Sequence, residues 1–254
     1  MGKIGKVVAA VGTWVGVFVA SQGNIALATM AGSAVLGALV GRRPMPRFKG
    51  SSSSAPSRAN QMEENSVVPL IYGRVCTSGF IIRTGLSSVH VAFCKGVIED
   101  FQNISCNGVA LADLESVPTS SEFYGTASQS ADSRFTPAYR YPGIAYIGLT
   151  FSVTFDVSGG IPNITALVLG KKCRPLANLT SGTLAYTRNN AVILADFLIN
   201  EGGVTVAEID TTSFQALETY CDAIPNNNTV RYMFDYSFSS KTSFSEALKI
   251  IENS

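Results

Sequence analysis

Apolar positions along the chain fall into three textures. From Val7 to Gly41 they follow one another almost without interruption, and no side chain carries a charge. From Val67 onward, short runs rich in Val, Ile, Phe and Thr alternate with Gly, Asn and Ser, the pattern of strands and tight turns. In the last third, apolar residues recur at three- and four-residue intervals, which predicts helices. The fold class expected is α+β: β-rich domains with short helices, preceded by an apolar, glycine-rich helical segment.

The first segment takes in residues 1–43. As one helix, Val7 to Gly41 would far exceed the roughly 20 residues that cross a bilayer. Ser21-Gln22-Gly23-Asn24 interrupts it, so a helical hairpin of Val7–Ala20 and Ile25–Val40 is expected. Gly12 and Gly16, then Gly37 and Gly41, stand at the G-x-x-x-G interval that lets helix backbones approach closely. With Trp14, Phe18 and Leu39 they make a candidate surface facing a membrane or a lumen. Membrane insertion, a bundle buried in an oligomer and an apolar plug docked on a partner all fit; membrane insertion ranks first. Lys3, Lys6, the apolar core and Ala26-Leu27-Ala28 also match a signal peptide. Apolar sequence resumes at once through Ala34–Val40, which favours an uncleaved segment. Residues 44–66 then form a basic and Ser/Pro-rich linker. Pro44 and Pro46 end the helix, the cations around them suit anionic headgroups, and Gly50–Ser57 offers nothing to a core.

Strands are predicted over Val67–Val75, Phe80–Arg83, Val89–Phe93 and Val97–Cys106, with Asn107-Gly108 as a type I′ hairpin turn. Pro118–Arg140 is poor in aliphatic residues and is expected to be a long surface loop or an arm reaching a neighbour. Tyr146–Asp156 is the clearest strand, and Gly159-Gly160 with Pro162-Asn163 turns it toward Ile164–Leu169. Ala191, Leu194, Ala195 and Leu198 make one helical face. Phe214, Leu217, Cys221 and Ile224 make a second, with Asp210-Thr211-Thr212 offering caps. Val230–Phe238 suits a strand, and Ser243 with Glu246 is a capping box for a last helix carrying Phe244, Ala247, Leu248 and Ile251. The expected division is a β-rich domain over 67–188, with its loop at 118–140, and an α+β segment over 189–254.

The chain has 254 residues, 46% apolar and 15% charged, with a net charge of +1. That suffices for a sizeable core. It lacks the cationic surplus that coating nucleic acid requires, and no direct sequence-specific nucleic-acid binding is expected. The five cysteines show no C-x-x-C spacing and read as reduced packing residues. His90 is the single histidine, so a two-histidine zinc site or facial triad cannot form. No G-x-S-x-G elbow accompanies it, and the alternation Ser88-Val89-His90-Val91-Ala92 puts it on the polar face of a strand. Glu63-Glu64 and Glu99-Asp100 are adjacent pairs expected in solvent. No phosphate-cradling glycine loop occurs. No catalytic residue, metal ligand or cofactor is therefore assigned.

Several segments of the globular part carry a resemblance. Val68-Pro69-Leu70-Ile71-Tyr72-Gly73-Arg74-Val75 resembles the P-x-x-Y-G-R-V segment of tail tip attachment proteins of long-tailed bacteriophages, the relatives of lambda host-specificity protein J. The strand Gly148–Val153, then Pro162-Asn163-Ile164-Thr165 and Gly170-Lys171-Lys172-Cys173, is similar to a second segment of that family. Asn189–Leu198, with Ala191, Leu194 and Asp196, looks like its "N-P-A-x-x-L-x-D-x-L" helix. Asp210–Asp222, with Phe214, Cys221 and Asp222, is similar to the next helix, and Arg231-Tyr232 with Glu246-Ala247-Leu248 to the end of the block. The segments run in matching order from Val67 to Glu252. Asn190 departs from the pattern where the family often has proline, and Gly202-Gly203 where it has an aromatic-glycine pair.

The resemblance implies a non-enzymatic virion component: a trimeric central tail hub, below the distal tail protein and in contact with the tape measure protein. It further implies that a second hub or tip polypeptide follows where Ser254 ends, so that this chain is the upper part of a divided hub. Glycine-rich apolar N-termini occur in such hubs, which makes Val7–Gly41 an element shielded in the assembly, with host-membrane contact during infection. Two rivals stand beside it: a membrane-anchored or exported bacterial β-rich protein, and a tail-borne wall hydrolase.

Overall fold

A computed structural model describes residues 68–135, 138–152, 160–223, 232–238 and 242–253. The expected N-terminal hairpin and linker, 1–66, lie outside them. The strands are β1 (Leu70–Tyr72), β2 (Arg74–Ser78), β3 (Phe80–Thr84), β4 (Ser88–Lys95), β5 (Ile98–Cys106), β6 (Val109–Ala110), β7 (Thr119–Tyr124), β8 (Ile144–Thr150), β9 (Ile164–Lys171) and β10 (Tyr236–Phe238). The helices are α1 (Asn190–Asn200), α2 (Thr211–Asp222) and α3 (Phe244–Glu252). The fold is β-rich, with antiparallel sheets and three short helices.

Two four-stranded sheets, in the orders β2-β9-β5-β6 and β3-β4-β8-β7, share one core. The two-residue period of a strand explains how. Val89, Val91 and Phe93 of β4 and Ala145, Ile147 and Leu149 of β8 point inward from one sheet. Ile164, Ala166 and Val168 of β9 with Ile98 and Phe101 of β5 meet them from the other. A ribbon of β1 and β10 accompanies the sheets. Asn107 and Gly108, at φ 51° and 83°, make the predicted hairpin turn between β5 and β6.

The expected strand Val67–Val75 is two strands. Gly73, at φ 70°, breaks the run, so β1 pairs with β10 while β2 pairs with β9. A residue with a side chain is strained at that φ, whereas glycine visits it freely. The surface loop expected over 118–140 is also corrected, because Thr119–Tyr124 is the edge strand β7, registered on β8 from Thr119↔Thr150 to Tyr124↔Ala145. Its Ser and Thr occupy an edge, where an aliphatic run is not needed. Tyr146–Asp156 is realised as β8, ending at Thr150, with 153–159 outside the described residues.

The described residues form two units. One holds the sheets up to Lys172 and regains the chain at Asp235–Thr242; the other comprises Cys173–Phe234 and the residues from Ser243. The change of unit falls at 172/173. In the second unit Asn189 caps α1, its Oδ1 accepting from the amides of Ala191 (3.0 Å) and Val192 (3.5 Å). Its Nδ2 donates to the Glu218 carbonyl of α2 at 3.0 Å. Asn190, where the resembling family often has proline, donates from Nδ2 to the Ile251 carbonyl of α3 at 2.9 Å. Instead of one apolar face, α1 is buried at every position from Ala191 to Leu198, including Asp196, whose Oδ1 accepts from Asn200 Nδ2 at 2.9 Å. Phe197 stacks on Phe244 at 5.3 Å between centroids. Asp210 caps α2 and Ser243 caps α3, whose box with Glu246 closes as predicted. Among the described residues of the strand expected over Val230–Phe238, Met233 bridges to Asn189 and only Tyr236–Phe238 is a strand.

Candidate functional site

A connected group of polar side chains in the first unit lies on the outer face of the β3-β4-β8-β7 sheet. Alternation that sends Val89, Val91 and Phe93 into the core sends His90 and Ala92 outward. His90 stands opposite Gly148 of β8 and Arg83 of β3. Phe123 of β7 stands opposite Tyr146 of β8, and their rings stack at 4.3 Å. On a bare sheet these residues would be wet. Residues 125–135, part of the stretch expected to be a surface loop, lie over His90 through Asp132 and Phe135 and leave it no exposed surface, while Tyr141 packs against the Phe123–Tyr146 pair.

The covering segment is held by hydrogen bonds to backbone and by one carboxylate. Gln129 accepts from the Gly125 amide at 2.9 Å. Its Nε2 donates to the carbonyls of Arg140 (2.7 Å), Tyr141 (2.7 Å) and Ile144 (3.1 Å). Asp132 Oδ1 accepts from Arg134 Nε at 2.8 Å and from the Arg134 amide at 3.1 Å. Asp132 Oδ2 accepts from Arg134 Nη2 at 2.5 Å and lies 3.1 Å from His90 Nε2. Arg134 reaches past the carboxylate to the carbonyls of Thr119 (2.9 Å) and Gly148 (3.0 Å). Gly148 makes room for this arrangement. A Cβ there would run into Asp132 Oδ2 and come within 2.7 Å of Arg134 Nη2.

Rings complete the lining. The His90 ring lies 3.8 Å from Phe135, 5.1 Å from Tyr146 and 5.8 Å from Tyr141. The Arg83 guanidinium sits 5.0 Å from the Phe135 centroid and 4.9 Å from that of Tyr139, within cation–π range. Burial would raise the Asp132 carboxyl, but hydrogen bonds from Arg134 and His90 outweigh it and hold the group at about 2. Burial pushes His90 below its ordinary value, against the pull of Asp132. The carboxylate is therefore purely an acceptor, and the proton of a neutral His90 sits on Nε2. Nδ1 is buried with no hydrogen-bond partner among the described residues.

A histidine sealed in this way exchanges no proton with a dissolved substrate. What the group does is join a loop to a sheet: one carboxylate is shared by an imidazole from β4 and a guanidinium from the covering segment. His90 lies on the strand face expected for it, yet buried rather than polar and open. Asp132, Arg134 and Gln129 escape sequence reasoning. A signal exists, since Asp132 and Arg134 are the only charges between Glu122 and Arg140, and an isolated opposite pair in a neutral run invites a buried partner.

The residues singled out by resemblance gather in two places. In the first unit the Pro69 carbonyl accepts from the Lys95 amide at 2.8 Å, and Tyr72 is fully buried with Lys171 Nζ 5.5 Å from its ring. The Gly170 amide donates to the Gly73 carbonyl at 2.7 Å. Arg74 is exposed, and its amide donates to Asp235 Oδ1 at 2.8 Å. Beyond Pro162, the Asn107 amide donates to the Asn163 carbonyl and the Asn163 amide to Asn107 Oδ1, both at 2.8 Å. In the second unit Ala191, Leu194 and Asp196 are buried on α1, Phe214 and Cys221 on α2, and Asp222 ends α2. The Tyr232 amide donates to the Cys221 carbonyl at 3.3 Å. Gly12, Trp14, Gly16, Phe18, Gly37, Leu39 and Gly41 lie outside the described residues.

All five cysteines are free; Cys76 is exposed and the rest are buried. Burial pushes the Cys94 thiol up to about 12 and that of Cys106 to about 11. Among the described residues no three His, Cys, Asp or Glu side chains converge as metal ligands, and no helix is long and apolar enough to cross a membrane.

At the sequence level no family model matches the chain, and no curated protein matches it. Among solved structures it is similar to a chain of one described as "Virion of native gene transfer agent (GTA) particle", at 18% identity and a TM-score of 0.46. The match covers 65% of this chain and 50% of that one.

Proposed function

We propose that this chain is a virion structural protein, the upper part of a central tail hub at the tip of a long-tailed phage particle. The reading rests on the order of the resembling segments between Val67 and Glu252. One observation carries it furthest. The first two of these segments meet backbone to backbone where the Gly170 amide bonds the Gly73 carbonyl at 2.7 Å. A Cβ at 170 would collide with the Ile71 carbonyl there. The likeness thus falls on residues that close the architecture, which suits a scaffold.

In this reading three copies form a closed ring, each burying the same surfaces against its neighbours. The ring joins the tail tube and distal tail protein to a second hub or tip polypeptide and contacts the tape measure protein. Val7–Gly41 from each copy is shielded in the assembly and meets the host membrane during DNA delivery. The chain is assembled in the host cytoplasm and performs no catalysis, so a peptidoglycan-release assay is expected to be negative.

Particle imaging tests it. The expected result is three-fold density at the tail tip that contains this chain, and tails that fail to complete when its gene is removed. Purified virions lacking the chain would overturn the proposal. The basic, apolar, A-x-A start favours one other reading, an exported membrane-anchored protein. Mass spectrometry of the mature N-terminus separates them: cleavage after Ala28 marks export.

A further inference from the structure

Residues 125–135 are fastened across β4 and β8 mainly through polar contacts, and one of these is to a group that titrates in mildly acid water. His90 is satisfied at only one nitrogen. Its Nε2 meets Asp132 Oδ2 at 3.1 Å, while Nδ1 is buried without a partner among the described residues. A second proton would place an N–H at Nδ1, among the rings of Phe135, Tyr141 and Tyr146. An unsatisfied buried donor of this kind carries its full desolvation penalty.

The surrounding charges do not accommodate it. From β3, Arg83 faces the ring; from the covering segment come Arg134 and Asp132. Tyr146 of β8 is kept neutral by burial, which pushes its hydroxyl up to about 12, and Tyr141 moves in the same direction. β7 offers Thr119, Ser121 and Phe123 on this face, none of them charged. The Asp132 carboxylate is already bonded by the Arg134 guanidinium, and Arg83 adds a second positive charge near the ring, so an imidazolium is poorly compensated. Lifting the segment returns His90 to water, where protonation is easy.

We infer that residues 125–135 form an acid-released strap, closed while His90 is neutral and opened when His90 takes up a second proton. Opening uncovers the sheet face around His90 and Gly148. The inference is independent of the proposed virion role. Because the open form binds one more proton, the opening equilibrium rises about tenfold per pH unit as pH falls below the free-histidine value of about 6.5.

Hydrogen exchange on the full chain between pH 7.5 and pH 5, corrected for intrinsic rates, tests this. Amides of residues 126–135 are expected to lose protection about tenfold per unit below about pH 6.5 while β8 and β9 stay protected, and His90→Gln is expected to abolish the dependence. Constant strap protection down to pH 5 would overturn the inference, as would equal loss in the variant or simultaneous loss in β8 and β9. Should His90→Gln fail to fold, the wild-type imidazole decides, since it gives the only histidine signal of the chain. A ring that stays neutral until strap protection falls supports the strap. A ring that titrates while the strap stays closed refutes it.

Discussion

Asp132 Oδ2 lies 3.1 Å from Nε2 of His90, 42 positions earlier in the chain, and the same carboxylate holds the guanidinium of Arg134. Two elements with nothing in common locally, a neutral Ser/Ala-rich segment and a core strand, are joined at this carboxylate. Its removal should therefore cost more than a surface ion pair. Asp132→Ala leaves an N–H of His90 and much of Arg134 unpaired, and we expect a loss of about 2–4 kcal/mol, read as a lower urea midpoint. Glu99→Gln, which removes the exposed partner of Lys172, is expected to change stability by less than about 1 kcal/mol.

The same pair sets an acid limb. Asp132 is held at about 2 in the folded chain, below the ordinary aspartate value of about 3.9. Its contribution is present above the unfolded value and lost as pH falls toward 2. His90 is lowered as well, so the unfolded chain takes its proton first and stability declines below about pH 6.5. Urea midpoints from pH 7 to pH 3 should fall in two stages, and His90→Gln should remove the upper one.

Glu252, at the end of α3, runs the opposite way. Burial pushes its carboxyl up to about 7, against the pull of Lys249. A carboxyl raised in the folded chain loses stability as pH rises from the unfolded value of about 4.3 toward 7. Glu252→Gln should gain on the order of 1–2 kcal/mol at pH 8 and little at pH 5, measured by thermal unfolding at both.

The crossing of Gly73 and Gly170 tolerates no side chain on the second residue. Gly170→Ala would place its Cβ against the Ile71 carbonyl. It should cost about 1–3 kcal/mol through forced backbone displacement, visible in the unfolding midpoint and in faster exchange of β1. Gly73→Ala, at φ 70°, should cost about 1–2 kcal/mol through left-handed strain alone.

In the helical unit, Asn189→Ala removes the cap on Ala191 and the donor to Glu218. A loss of about 1–2 kcal/mol is expected. Asn189→Asp keeps the cap acceptor and loses only the amide donor, so its midpoint should fall between those of wild type and Asn189→Ala.

Much of this molecule is legible locally. The Asn107-Gly108 turn, the Asp210 and Ser243 caps, the alternation of β4 and β9 and the buried positions of α2 and α3 each depend on residues a few places apart. Backbone preference, capping chemistry and two- or four-residue periodicity therefore sufficed to find them. The candidate site was less legible: alternation named the face of β4 on which His90 lies, but not what covers it.

The tertiary structure decided the rest, for a common physical reason. Whether Gly73 is a kink or part of a continuous strand depends on β9 and β10 claiming different neighbours. Whether α1 shows one face or none to water depends on how much of it α2 and α3 enclose. Whether Asp132 is a solvated loop carboxylate or the hinge of a buried cluster depends on an imidazole from another strand and a glycine floor at 148. Sequence specifies which groups need a hydrogen bond or an apolar neighbour; only the folded chain determines which distant residue supplies it.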